Sequence, residues 1–331
     1  MRVVQTIVAA AVLLGLTAQS PAQAQELHHV IQNWLRCYII DGRVTFDGTR
    51  LANIGPFAQG MRGNGQEVLK VRNENGQSVL SYERATNDGQ FAAELAASGE
   101  RLVLRRTPRG GAAILPAEFK QVANEKITLT VGSGAGQQVF RARSIWRLLI
   151  AQPKECQQHL LPLLEMLRPD WNLADTAARV EQKLLQEANG DGASNRARWA
   201  ALVTQLADES FAKREAADRA LRTGNAGAIS YLRQLDFNRL DTEQQFRVGR
   251  IVEAMTVQNG DDSVEQAAAA LATDPVVWCA LLARPEPSTR QTAARELARL
   301  LGEPIAVDPA ADPNTQKDPR ELLRIRIGEK D

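Results

Sequence analysis

The period of the apolar residues changes once along the chain, and that change bounds the fold. From Trp34 to about Arg143 apolar side chains recur at every second position, the repeat of a strand with one buried face. From Ser144 onward they recur at three and four, the repeat of a helix. Two periods kept in separate blocks predict an α+β protein rather than alternating βαβ units. The expectation is an N-terminal antiparallel β meander or sandwich-like domain over residues 25–143, followed by a helical half.

In the first block, residues 67–72, 78–84, 90–95 and 101–106 read as short strands about eleven positions apart. They are separated by Asn75-Gly76, Asp88-Gly89 and Ser98-Gly99. Asparagine, aspartate and glycine accept the positive φ of a tight hairpin, so successive strands are expected to pair antiparallel. Two more strands, 126–131 and 137–143, flank Gly132-Ser133-Gly134-Ala135-Gly136. A phosphate-cradling loop would be followed by a helix; the run Val139, Arg141, Arg143 keeps period two and predicts a hairpin.

The second block opens with a helical connector over residues 144–190. Pro153 restarts a helix striped by Leu160, Leu161, Leu163, Leu164 and Leu167, and Pro169 ends it. Asn172 and Asp175 signal the next start, and Asn189-Gly190-Asp191-Gly192 a stop and a joint. Beyond it helices are predicted over 196–207, 211–222, 226–235, 242–255, 263–272, 276–283 and 289–301. Arg214, Ala217 and Leu221 recur 76 positions on (290 − 214) as Arg290, Ala293 and Leu297. That offset is two periods of roughly 38 residues, near the length of stacked helix-pair repeats. Arg247 and Arg250 mark a middle copy, with Ala254 where the leucine would fall.

In these antiparallel pairs and this Arg-x-x-Ala-x-x-x-Leu spacing, residues 195–307 resemble the HEAT and armadillo-like helical repeat families. The resemblance implies an α-solenoid-like stack whose surface, with Arg214, Arg247, Arg250 and Arg290, receives protein partners; it carries over no catalytic residue. The usual proline bend is missing between Phe211 and Leu221. A tail over 308–331, rich in Pro, Asp and Ala, ends in a short helix signalled by Asp318, Pro319 and Glu321.

At the other end, Arg2, an apolar run over 3–16 and Ala22-Gln23-Ala24 read as a signal peptide over 1–24. The run is short of the roughly 20 apolar residues that span a bilayer. The expectation is export to the periplasm or exterior, with a mature chain beginning at Gln25 after cleavage near Ala24. A formal net charge of +1 announces no nucleic-acid partner. Three cysteines, Cys37, Cys156 and Cys279, are too few for a disulfide scaffold. One bridge would leave a thiol over, and the apolar helical surroundings of Cys156 and Cys279 predict buried thiols.

Three histidines restrict acid-base and metal chemistry. His28 and His29 lie near the expected mature terminus without further ligands nearby. Glu155, Cys156 and His159 share a helix at i, i+1 and i+4, the one cluster with a nucleophile beside a base; its leucine-rich flanks predict a core helix instead. Asp41, Asp47, Glu83 and Asp88 are the carboxylates of the β region that an acid-base pair would draw on, and strand-end carboxylates are usually solvated. Asp261-Asp262 lacks the spaced ligands of a calcium loop and reads as a turn. Arg101, Arg105 and Arg109 share a strand face with Val103, near Lys120 and Lys126, where an anionic glycan or headgroup could bind. Trp34, Trp146, Trp171, Trp199 and Trp278 fall mostly in apolar helical patterns, as core anchors do.

The reading is an exported, non-enzymatic scaffold or binding protein without metal or cofactor, acting through its helical-repeat surface on a protein partner. An envelope hydrolase with a cleft in the β domain, or a glycan-binding β domain on a helical spacer, would need one of the clusters above to converge.

Overall fold

The computed structural model describes residues 36–46, 57–61, 66–74, 76–87, 89–96, 99–109, 114–168, 170–190, 192–223, 226–233, 235–256 and 261–328. The expected signal peptide, His28, His29, Trp34, Asp47 and the turn residues Asn75 and Asp88 lie outside the described residues. The fold is α+β, an N-terminal antiparallel sheet region followed by helices. No helix among the described residues is long and apolar enough to cross a membrane. The chain divides into a sheet unit (Met1–Tyr38, Val44–Arg141, Gln158–Trp171) and a helical unit (Ile39–Arg43, Ala142–Gln157, Asn172–Asp331). The connector over 144–190 is therefore shared between the two.

A short hairpin, β1 (Cys37–Ile40) and β2 (Arg43–Phe46), precedes the main sheet. That sheet has eight strands: β3 (Phe57–Met61), β4 (Gln66–Glu74), β5 (Gln77–Thr86), β6 (Gly89–Ala96), β7 (Arg101–Pro108), β8 (Ala117–Val122), β9 (Ile127–Val131) and β10 (Gln138–Ala142). Their spatial order is their sequence order, an antiparallel meander. The pairing Leu69↔Tyr82↔Ala93↔Leu104↔Phe119↔Leu129 runs across six strands as one cross-strand row. Every residue of that row is buried, so period two has put one face of the sheet into the core. Gly89 sits opposite Pro108, where an added Cβ would lie 2.5 Å from the Thr107 carbonyl oxygen; no other residue fits.

In the sheet unit the polar Gln121 also faces inward, and its amide forms a two-way bond with the Val44 backbone, Nε2 to the carbonyl at 2.7 Å and Oε1 from the N–H at 3.0 Å. A side-chain amide thus does for β2 what a neighbouring strand would do, and a buried polar group is satisfied.

The helices are α1 (Ile145–Ala151), α2 (Pro153–Glu155), a π-helical turn (Cys156–Leu160), α3 (Leu161–Glu165), α4 (Leu173–Asn189), α5 (Gly192–Gln205), α6 (Phe211–Arg222), α7 (Ala226–Arg233), α8 (Thr242–Thr256), α9 (Val264–Leu271), α10 (Pro275–Leu281), α11 (Pro287–Leu301) and α12 (Lys317–Gly328). Local signals start and stop them. Ser263 and Gln266 close a capping box on α9, Asp274 caps α10 with Pro275 at its first position, and Gly302 ends α11 at φ 76°. Val203, Leu206, Ala217, Leu221, Leu232, Val248 and Ile251 form the core shared by α5 to α8.

The packing of the helical unit departs from a simple stack. In a solenoid each repeat touches only its neighbours. Here α4, a connector helix, packs on α9 and α11 as well as on α1 and α5, and α1 packs on α10. The apolar stripe of α4, Leu173, Ala177, Val180 and Leu184, explains this, because a stripe on a long helix must be covered by whatever returns to it.

Candidate functional site

The shared Arg-x-x-Ala-x-x-x-Leu spacing is matched by equivalent hydrogen bonds at Arg214 and Arg290. Arg214, at the fourth position of α6, donates through Nη1 to the carbonyls of Asp208 and Glu209 at 2.8 and 3.0 Å. Arg290, at the fourth position of α11, donates to those of Arg284 and Pro285 at 2.9 and 2.5 Å, the same two carbonyls 76 positions on. It adds Pro309 at 2.8 Å. Ala217, Ala293, Leu221 and Leu297 are all fully buried.

The middle copy lies in a different register from Arg247 and Arg250. Gln245, at the fourth position of α8, donates to the carbonyls of Phe237 and Leu240 at 2.8 and 3.0 Å. Val248 and Val252 then take the alanine and leucine places. One device thus recurs three times: a long donor on the second turn of a helix satisfies the carbonyls of the loop before it, as buried backbone acceptors require. Arg214 and Arg290 are engaged inward. Arg247 is held by Glu215 and Glu243 at 2.8 and 2.6 Å, while Arg250 is exposed with its guanidinium 5.7 Å from the centre of the Phe246 ring.

Phe246 is 59% exposed and Phe211, on the first turn of α6, 64%. The Arg214 guanidinium lies 5.7 Å from the Phe211 ring, a second cation–π contact. The N-terminal turns of α6 and α8 are tied by Arg214 to Glu243 (3.6 Å) and Arg247 to Glu215 (2.8 Å). Phe237, ahead of α8, is also exposed. This edge joins aromatic rings and cations at the surface of two helices tied by ion pairs.

The Glu155, Cys156 and His159 cluster takes another form. Cys156 is fully buried, and desolvation, with the Glu155 charge second, pushes its thiol up to about 12. His159 is taken up by Arg106, whose Nη2 lies 3.0 Å from Nδ1. The π-helical turn adds a residue to the helix between Cys156 and Leu160. All three cysteines are buried, with Cys279 raised to about 11 by burial.

On the outer face of β7, Arg101 pairs with Glu94 at 3.1 Å and Arg105 with Glu118. Arg109 is exposed beyond the strand. Below them Lys70, Ser81, Glu83, Ala92 and Val103 line a depression of about 160 Å³. Among the candidate carboxylates, Glu83 is on that solvated face and Asp41 is in the helical unit, bound to Arg233. Asp88 and Asp47 are outside the described residues.

Two sites escaped the sequence reading. Glu67, an inward position of β4, is buried with its Oε1 3.2 Å from Arg84 Nε. Burial raises its carboxyl against the pull of Arg84 and the Tyr82 hydroxyl. An acid in phase with Leu69 and Val71 is a legible signal. The other is the pair Asp261 and Asp262, which hold the β1–β2 turn; Asp41-Gly42 between two apolar runs is the hairpin signal that points to it. Among the described residues no group of three or more His, Cys, Asp and Glu is placed to hold a metal.

No family model matches the chain, and no curated protein or solved structure matches it. The residues themselves carry the functional argument.

Proposed function

We propose that this is an exported binding protein whose helical unit offers the α6–α8 edge to a protein partner. The supporting observation is the pairing of exposed Phe211 and Phe246 with arginines on two helices locked together by ion pairs. Phenylalanine and arginine are enriched where interfaces are buried, and few surface positions justify so much exposed ring area. Rings already about 60% exposed, buried at ~1.5–3 kcal/mol for a whole side chain, would give about 2–4 kcal/mol together. Loss of both rings is then expected to weaken binding by about thirtyfold to a thousandfold. A glycan or headgroup contact through Arg101, Arg105 and Arg109 is less favoured, since two of the three arginines already have carboxylate partners. Export is supported by the N-terminal pattern of Arg2, the apolar run and Ala22-Gln23-Ala24.

The test places a photo-crosslinking residue at Phe211, at Phe246 and, as control, at exposed Arg324 in the full chain in its own envelope. A discrete adduct from both phenylalanine positions and none from Arg324 is the expected result. No adduct from either, or the same adducts from all three, refutes the reading. Mass spectrometry of the mature chain should find it beginning at Gln25; a chain that retains residues 1–24 would contradict export by cleavage.

A further inference from the structure

Long-range polar contacts gather around a five-residue segment at the tip of the β1–β2 hairpin, Ile39–Arg43, which groups with the helices rather than with the sheet. Asp41 and Gly42 both have positive φ, 54° and 69°, the signature of a two-residue type I′ hairpin turn. Ile39 N–H donates to Asp261 Oδ1 at 2.8 Å. The Asp41 and Gly42 N–H groups donate to Asp262 Oδ1 and Oδ2 at 2.8 and 2.7 Å. In return Asp262 N–H donates to the Ile39 carbonyl at 2.6 Å, and Ile145 N–H to that of Gly42 at 2.8 Å. The aspartates stand 220 to 222 positions along the chain from the groups they bind.

Side chains add selectivity to these backbone contacts. The Asp41 carboxylate pairs with Arg233. The Ile39 side chain is fully buried. A Cβ at residue 42 would overlap Ser144 Cβ, so only glycine seats. The second oxygen of Asp262 also accepts from Trp146 Nε1 at 2.8 Å. Burial pushes the Asp262 carboxyl up, against the Trp146 indole, the Gly42 amide and the Arg233 charge. A desolvated carboxylate with two of its donors removed is costly, so site and turn are matched to each other. Backbone donors recognised by fixed acceptors, with pockets that select particular side chains, is how proteins bind peptide segments.

We propose that the helical unit carries a turn-recognition site, filled here in cis, whose ligand class is a peptide Asp-Gly hairpin turn preceded by an aliphatic residue two positions before the aspartate. Asp261 and Asp262 read its N–H groups, Arg233 its aspartate and Ser144 its glycine. The site is distinct from the α6–α8 edge and does not rest on it.

The test supplies the turn in trans. A labelled, cyclised peptide of residues 37–46, with serine for Cys37, is titrated into the full chain, into Gly42→Val, whose own turn cannot seat, and into Gly42→Val with Asp262→Asn. Saturable binding to Gly42→Val, at least tenfold weaker to the parent and to the double variant, is expected. A folded Gly42→Val chain that ignores the peptide, or binding that is the same in all three, overturns the proposal. If Gly42→Val does not fold, native-state hydrogen exchange decides. Asp262→Asn should lose at least tenfold protection at the amides of Asp41 and Gly42, and unchanged protection there would overturn it equally.

Discussion

Replacing Arg290 by methionine should destabilise the helical unit far more than the same change at Arg214, although the two arginines occupy equivalent places. Arg290 is 4% exposed and serves three carbonyls, those of Arg284, Pro285 and Pro309. Arg214 is partly exposed and serves two, one of them at the surface. A hydrogen bond from a charged donor contributes about 1.5–3 kcal/mol net, and three such bonds do not add fully because they share one cation. Removing one side of a buried charged contact costs about 3–5 kcal/mol, so Arg290→Met is expected in that range. For Arg214→Met, with one exposed carbonyl free to bind water, about 1–2 kcal/mol is expected. Lysine should restore little at Arg290, because a single ammonium cannot span three acceptors that a planar fork reaches. Urea unfolding followed by far-ultraviolet circular dichroism and by the fluorescence of buried Trp278 would measure the differences. Equal losses below about 1 kcal/mol at both positions would show that the loop carbonyls do not depend on the arginines, and the repeat device would be refuted.

Further outcomes follow from the same structure. Cys156 and Cys279, with thiols raised to about 12 and about 11, should resist alkylation near pH 8 in the native protein and react fully in denaturant. Because both folded values lie above the unfolded one of about 8.5, the stability they contribute is whole below that pH and is lost as pH rises toward 11 and 12, which alkaline unfolding curves would show. Glu67, also raised, acts in the same direction in its own range: ionising it costs the folded sheet unit, so the parent should gain stability as pH falls toward about 4.5 and Glu67→Gln should not. A denaturation series across that pH range decides it. Gly89→Ala, which puts a Cβ 2.5 Å from the Thr107 carbonyl oxygen, should cost the sheet unit about 2 kcal/mol or more, and a loss under about 0.5 would show that β6 and β7 can part there without strain.

What the sequence disclosed depended on whether a pattern was local. The strands 67–72, 78–84, 90–95 and 101–106 are found within β4 to β7, because alternation and Asn-Gly, Asp-Gly or Ser-Gly turns act over a few residues. The strand β8 was not predicted: of its inward residues only Ala117 and Phe119 are apolar, and the third is Gln121, whose partner Val44 is 77 positions away. The role of Asp261 and Asp262 was hidden for the same reason, since an aspartate pair after Asn259-Gly260 looks like a turn until the hairpin tip is folded against it. Helix bounds in the second half were legible from caps and prolines. The return of α9 and α11 onto α4 was not, because an amphipathic stripe states that it will be covered and not by which helix.

The three copies of the repeat also indicate where a binding role can reside. Positions that recur are consumed internally: the fourth-position donors Arg214, Gln245 and Arg290 serve loop carbonyls, and Ala217, Val248 and Ala293 are buried. A recurring residue is therefore weak ground for a partner surface, since the recurrence is already explained by what each pair needs to stand up. The informative positions are those where one copy breaks the rule at the surface. Phe246 falls where the other copies have Glu215 and Gln291, and Phe211 where they have Thr242 and Pro287. A phenylalanine left 59% or 64% exposed gives its own helix pair only what partial burial and one cation–π contact supply, so most of its burial is still to be gained. That asymmetry, rather than the recurring arginines, motivates the proposed partner surface on the edge of α6 and α8.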